Sequence, residues 1–186
     1  MNHMGKISDV AFRKRMIQSK EWLQWLTKNI LPKCILSYKK PDWLTDYQMI
    51  AVDASDLVEK GTNQREWHLH YAVDIFSLTC HQFQLTQQST GESLTNFTLK
   101  EGELILGDRA YGTRVGIEHC MENGCDFILR MKHKAFNLYN KNGERLFLTN
   151  WLKTVEETAK ELPVWIRRSD KTSIPLRICA VKRTKE

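Results

Sequence analysis

Two runs of this sequence share one grammar, and together they restrict what the chain can become. Met49-Ile50-Ala51-Val52-Asp53-Ala54-Ser55 is an apolar run that breaks at an acid followed by small residues. Leu104-Ile105-Leu106-Gly107-Asp108-Arg109-Ala110-Tyr111 repeats the pattern. Short runs rich in β-branched residues and leucine read as buried strands. An unpaired buried carboxylate is costly, so an acid at the end of a core strand is paired, hydrogen-bonded or on a metal. Two such acids, on strands that a sheet can place side by side, make a seat for divalent metal. Asp56, three residues after Asp53, is the nearest rival and is expected to fall outside the strand.

The surrounding pattern supplies the sheet. Trp67, Leu69, Tyr71, Val73 and Ile75 alternate with His68, His70, Ala72 and Asp74, which predicts a strand with one buried face. Residues 80–86 alternate again, so three strands form an antiparallel meander. Residues 90–97 read as a loop or short helix. The Leu104 run gives a fourth strand, 115–123 a helix ended by Gly124, and 126–130 a fifth strand. Strand–helix–strand units close by a right-handed crossover, which can lay the Asp108 strand beside the Asp53 strand. The order matches a ribonuclease H-like sheet.

The flanks have a different texture. Residues 8–31 read as a helix capped by Ser8 or Asp9, with apolar spacing at Ile17, Trp22, Leu23, Leu26 and Ile30 and a stop at Pro32. Trp43 and Trp67 read as core. Beyond Lys132, Asn142-Gly143 signals a hairpin, Thr149 or Asn150 can cap a short helix running to about residue 160, and residues 163–168 and 174–183 are strand candidates. The expected organisation is a helical segment at 1–45, an α/β core with a mixed sheet at 46–132, and a β-rich insertion at 133–186.

Bulk properties narrow the setting. The chain has 186 residues and a net charge of +6 at pH 7, so a polyanionic partner is plausible. Its five cysteines are odd in number and form no CxxC pair, which argues against a disulfide framework or a zinc site. No apolar run is long enough to cross a bilayer, and the expectation is a cytoplasmic protein without a membrane partner.

The motifs Val52-Asp53-Ala54-Ser55, Trp67-His68-Leu69-His70 and Gly107-Asp108-Arg109-Ala110-Tyr111-Gly112-Thr113 resemble those of bacterial insertion-sequence transposases of the DDE class, in the IS-four-like branch. The resemblance covers roughly residues 8–183, and the Gly-Asp-Arg-x-Tyr signature is its most specific part. It implies a ribonuclease H-like fold and catalytic, metal-binding aspartates at Asp53 and Asp108. It also implies a two-metal site for Mg²⁺ or Mn²⁺, and strand cleavage and transfer on DNA at terminal repeats and target, by a nucleoid-associated homodimer assembled on DNA. Phosphodiester displacement suits that site, because two divalent ions can stabilise both the attacking and the departing oxygen.

The match has departures. The family's third carboxylate is a Glu on a later helix, in a Tyr-x2-Arg-x3-Glu-x6-Lys setting that this sequence does not reproduce. Tyr111, Arg114 and Glu118 copy its first part, but position 125 is Cys, and Glu118 is expected to point down its helix away from the acids. Glu156 and Glu157 fall in the insertion. The resemblance therefore implies a piece of a split or decayed transposase gene, shortened at both ends and inactive alone. Two alternatives stand beside it: a non-catalytic DNA-binding remnant or regulator, and a ribonuclease H-like nuclease using a local third acid such as Glu118. Candidate DNA contacts are Arg109, Arg130, Lys132 and Lys134, with His133 among them, and Arg13 and Lys14 on the first helix. A guanidinium at Arg109 could orient a phosphate. His68 and His70 share a strand face that is expected to be solvated, with no third ligand.

Overall fold

The structure, a computed structural model, describes residues 8–19, 38–58, 65–87, 89–132, 134–156 and 159–182, with 21, 22, 25, 26 and 29 between the first two segments. Leu23, Ile30, Pro32, the loop at 59–64, His133 and Glu157 lie outside the described residues. The fold is α/β, with a mixed five-stranded sheet and a second, antiparallel sheet of four strands.

The first helix, α1 (Asp9–Gln18), starts where Ser8 accepts from the backbone N–H of Ala11 at 3.3 Å. Then β1 (Gln48–Val58), β2 (Arg65–Asp74) and β3 (Cys80–Gln87) form the expected meander. The chain returns through a single 3-10 turn at Leu94–Asn96 to β4 (Glu103–Gly107), which pairs parallel to β1. Helix α2 (Arg114–Glu122) leads to β5 (Asp126–Leu129), parallel to β4. The order across the sheet is β3-β2-β1-β4-β5. Thr113 caps α2 by accepting from the Gly116 N–H, and Gly124 ends it in the left-handed region at φ +69°.

The second sheet, ordered β7-β6-β8-β9, contains β6 (Leu138–Tyr139), β7 (Arg145–Leu146), β8 (Ala159–Arg167) and β9 (Ser173–Val181). Its aliphatic core is Leu138, Val164, Ile166 and Ile174, joined by Ile117 of α2. Phe127 and Leu129 of β5 pack against this cluster and against the core of the first sheet alike. The two sheets therefore share a seam through α2 and β5.

Five expectations are corrected. Strand β1 does not end at Asp53 but runs to Val58, because β2 pairs with it throughout, and Asp56 lies within it opposite His68. The histidine face of β2 is the buried one: His70 is fully enclosed, and His68, Ala72 and Asp74 are buried with it. The returning segment covers that face, with Phe97 edge-on to His70. Trp43 is 73% exposed and Trp67 only partly buried, so neither belongs to the core. The helix expected to run to residue 160 is a five-residue turn of helix, α3 (Leu148–Leu152), preceded by Phe147 without a side-chain cap. Residues 159 and 160 instead begin β8, where pairing with β9 outweighs local helix propensity.

Candidate functional site

The parallel pairing of β1 with β4 places the two acids. Its last partners are Val52 and Gly107, so Asp53 and Asp108 each occupy the first position beyond it, on adjacent strands. Adjacent strands lie about 4.7–4.9 Å apart, which sets the scale of the site. Both aspartates are exposed.

Each carboxylate is held by its surroundings. Asp53 Oδ1 accepts from the N–H of Ala54 at 2.9 Å, and Oδ2 accepts from the Tyr71 hydroxyl at 2.9 Å. Tyr71 stands directly opposite Asp53 on β2. That hydrogen bond, with some burial and the Asp53 charge, raises the Tyr71 pKa and keeps it a donor. Asp108 Oδ1 accepts from the Ala110 N–H at 2.7 Å, while Oδ2 has no hydrogen-bond partner among the described residues.

Two glycines make the Asp108 turn possible. A Cβ on Gly107 would lie 2.9 Å from Leu129 Cδ2, and one on Gly112 would lie 2.7 Å from the Arg130 carbonyl oxygen. The turn thus presses on the end of β5, and Arg130 N–H donates to Gly107 O at 3.0 Å. The Gly-Asp-Arg-x-Tyr-Gly pattern encodes a close approach of backbones.

Behind the acids lies Tyr111, fully buried, with a hydroxyl that has no hydrogen-bond partner among the described residues. Burial drives its pKa up strongly, and the charges of Glu92, Asp53 and Asp108 add to the effect. His68 bridges toward the same rim: its Nε2 lies 3.6 Å from Glu92 Oε1 and 3.8 Å from Asp56 Oδ1, and its Nδ1 lies 3.0 Å from Thr90 O. Sequence patterns alone do not single out Tyr71, Tyr111 or Glu92 as site residues. For Tyr71 a signal exists, since a meander register counted from Asp53 places it opposite.

Hard carboxylate oxygens on two adjacent strands fit Mg²⁺ or Mn²⁺, ions that are commonly held by one or two carboxylates, with waters and substrate phosphates completing the shell. Among the described residues no three His, Cys, Asp or Glu side chains are grouped to hold a metal. Glu118 is engaged elsewhere: Oε1 accepts from the Ser169 N–H at 2.8 Å, and Oε2 from the Ser169 hydroxyl at 3.0 Å. It clasps α2 to the second sheet. Glu156 is exposed.

The expected DNA-contacting residues divide. Arg109, Arg130, Lys132 and Lys134 are all exposed, and Arg109 and Arg130 flank the Asp108 turn through the close approaches at Gly107 and Gly112. Arg13 and Lys14 are exposed on α1, which the described contacts do not bring to the acids.

No family model matches the sequence. The transposase for insertion sequence element IS421 of Escherichia coli is 22% identical to it over 157 residues, covering 84% of this chain and 42% of that protein. The InsL proteins of elements IS186A and IS186B from Escherichia coli strain K12 match over the same shares at 22% identity. The chain is similar to insertion-sequence transposases. It spans less than half the length of the curated relatives it matches. No helix among the described residues is long and apolar enough to cross a membrane.

Proposed function

We propose that this chain carries the acid-bearing sheet of a DDE-class DNA transposase, with a ribonuclease H-like core in which Asp53 and Asp108 bind Mg²⁺ or Mn²⁺. The observation that carries the reading is the register: two acids one step beyond the last parallel pair of adjacent central strands. The strand order β3-β2-β1-β4-β5, with only the meander antiparallel, supports the same reading, as does the similarity to insertion-sequence transposases.

The chain's own residues would act as follows. Tyr71 and the Ala54 N–H fix the Asp53 carboxylate, so that it does not have to be ordered when ligand arrives. The Ala110 N–H fixes one oxygen of Asp108 and leaves the other to bind. Arg109, exposed beside Asp108, can present its forked donors to a phosphate. When bound, divalent metal would supply activation of a water or 3′-hydroxyl and neutralisation of the departing oxygen. The partner is DNA, at element ends and target.

The test is Mn²⁺ binding, followed by the loss of the free-ion signal in electron paramagnetic resonance. The intact chain should bind Mn²⁺, and Asp108→Asn or Asp53→Asn should weaken binding at least tenfold without altering circular dichroism, the scale on which ligand-shell changes act. Equal Mn²⁺ binding by all three proteins would sink the proposal.

A further inference from the structure

A groove between α2 and the second sheet has no part in the reading above. It encloses about 610 Å³, and its walls include Thr113 and Arg114 at the start of α2, Tyr139 on β6, and Arg167, Arg168 and Lys171 around the β8–β9 turn. Four cations therefore converge on one cleft from two segments, and no acid lines it among the described residues. Three nearby acids are already engaged: Glu118 accepts from Ser169, Asp170 from Thr172, and Glu122 from Arg168 Nη2 at 2.8 Å, which leaves Arg168 the most neutralised of the four cations. Arg114 Nε is 3.9 Å from Glu118, a loose pairing on an exposed side chain. Arg167 and Lys171 have no acid partner among the described residues.

The cations are also held in place. The Arg167 guanidinium lies over the Tyr139 ring, 4.4 Å from its centroid, so its orientation is set before any ligand arrives. Lys171 occupies the left-handed region at φ +70°, a conformation that residues with a side chain disfavour. The turn enforces it: Lys171 N–H donates to Arg168 O, Arg168 N–H to Thr172 O, and Asp170 accepts from Thr172. A lysine in a disfavoured conformation, fixed by such a network at the lip of a cleft, marks a place where position matters. Lys134, next in sequence to the lining residue Ala135, is left-handed too, at φ +68°.

The cleft begins where the Asp108 turn ends. Thr113 is the last residue of the Asp108 turn and the first of the groove, and its N–H donates to Tyr111 O at 2.8 Å. We propose that this groove seats the sugar–phosphate backbone of DNA and leads it to Asp53 and Asp108. This rests on the reading of those acids given above. Phosphates are singly charged and regularly spaced, which suits a groove whose lining carries guanidinium and ammonium groups and no carboxylate.

The test is fluorescence anisotropy of a labelled DNA duplex of arbitrary sequence, in EDTA, across a salt series. Each phosphate that the protein no longer neutralises should lower the slope of log affinity against log salt by about 0.9. Arg167→Ala combined with Lys171→Asn should therefore flatten the slope by about 1.8 and weaken low-salt binding roughly tenfold or more. Arg114→Gln, a change on an exposed side chain that should leave folding intact, should flatten it by about half as much. Lys39→Ala with Lys100→Ala removes the same charge from two exposed lysines that do not line the groove and should change affinity less than twofold. Unchanged slope in the groove variants, equal loss in the control pair, or tighter binding of RNA of the same sequence would each overturn the inference. Asp108→Asn should bind DNA normally in EDTA while losing Mn²⁺. If instead it keeps Mn²⁺ while the groove variants lose DNA, the acid reading fails and the groove stands.

Discussion

Beneath β2 the five-stranded sheet buries His68, His70 and Asp74, with Glu103 at the start of β4, whereas the second sheet buries Leu138, Val164, Ile166 and Ile174. Every buried polar residue among those described belongs to the first sheet. Apart from the Tyr111 hydroxyl, each is held by specific partners: His70 Nε2 lies 3.0 Å from the Thr86 hydroxyl, Asp74 accepts from the N–H groups of Phe76 and Ser77, and Glu103 Oε2 accepts from the Lys100 N–H at 2.9 Å. Polar groups satisfied in one geometry exclude neighbouring geometries, because any slip leaves one of them buried without a partner. Aliphatic packing is more forgiving of small shifts. The sheet that carries the acids is built for placement. The other supplies apolar area and a face of positive charge.

The largest test of this contrast removes buried volume from each sheet in turn. Ile105→Ala and Ile166→Ala, both at fully enclosed positions, should each cost about 2–5 kcal/mol. Because Phe127 and Leu129 pack against both clusters, calorimetry should find one transition lowered by either change. A second transition in Ile166→Ala, with Mn²⁺ binding preserved, would break the contrast into two independent units.

A smaller effect sharpens the seam. Glu118→Gln keeps the shape of the clasp but removes its charge and should cost about 1.5–3 kcal/mol, the range for hydrogen bonds to charged groups. Hydrogen exchange should quicken at Ser169 and along the β8–β9 turn more than in β1 or β4. Uniform quickening would show that the clasp holds the whole fold instead.

The smallest effect tests placement by polar groups. Burial, and then the neighbouring His68, lower the His70 pKa below its usual 6.5. Below pH 6.5 the unfolded chain therefore takes up a proton that folded His70 refuses, so stability should fall as pH drops through that window toward the folded value. Chemical denaturation of wild type and His70→Gln between pH 5 and 7 should show a shallower pH slope in the variant (pH range set by the usual histidine value, about 6.5). Parallel slopes would remove His70 from the account.

Much of the first sheet was legible because its signals are local. Leucine and isoleucine runs mark β4, Gly124 marks the end of α2, and Gly107 and Gly112 mark a turn that admits no side chain. The buried face of β2 was not legible, because histidines look like surface residues until Thr86, Thr90, Asn96 and Phe97 come from elsewhere in the chain to cover them. The full length of β1 was hidden for a related reason: the acids and small residues at 53–56 break its apolar run, and beyond Val52 only β2 sustains it. At the candidate site, the sequence neighbours of Asp53 and Asp108 were enough to set both acids at the ends of runs that pair as adjacent strands. The groove could not, since Arg114, Tyr139, Arg167 and Lys171 meet only after two sheets have packed.

The pairing of Val52 with Gly107 has one more consequence. Sliding β4 by one residue along β1 would carry Asp108 about 3.3 Å along the strand and turn its side chain to the opposite face. A misthreaded sheet could still look folded by its helix and strand content, yet it would not bring two carboxylates to one ion. On the proposed reading, metal uptake becomes a proofreading signal for this architecture, and the fraction of chains that take up Mn²⁺ would count those whose central strands were threaded correctly.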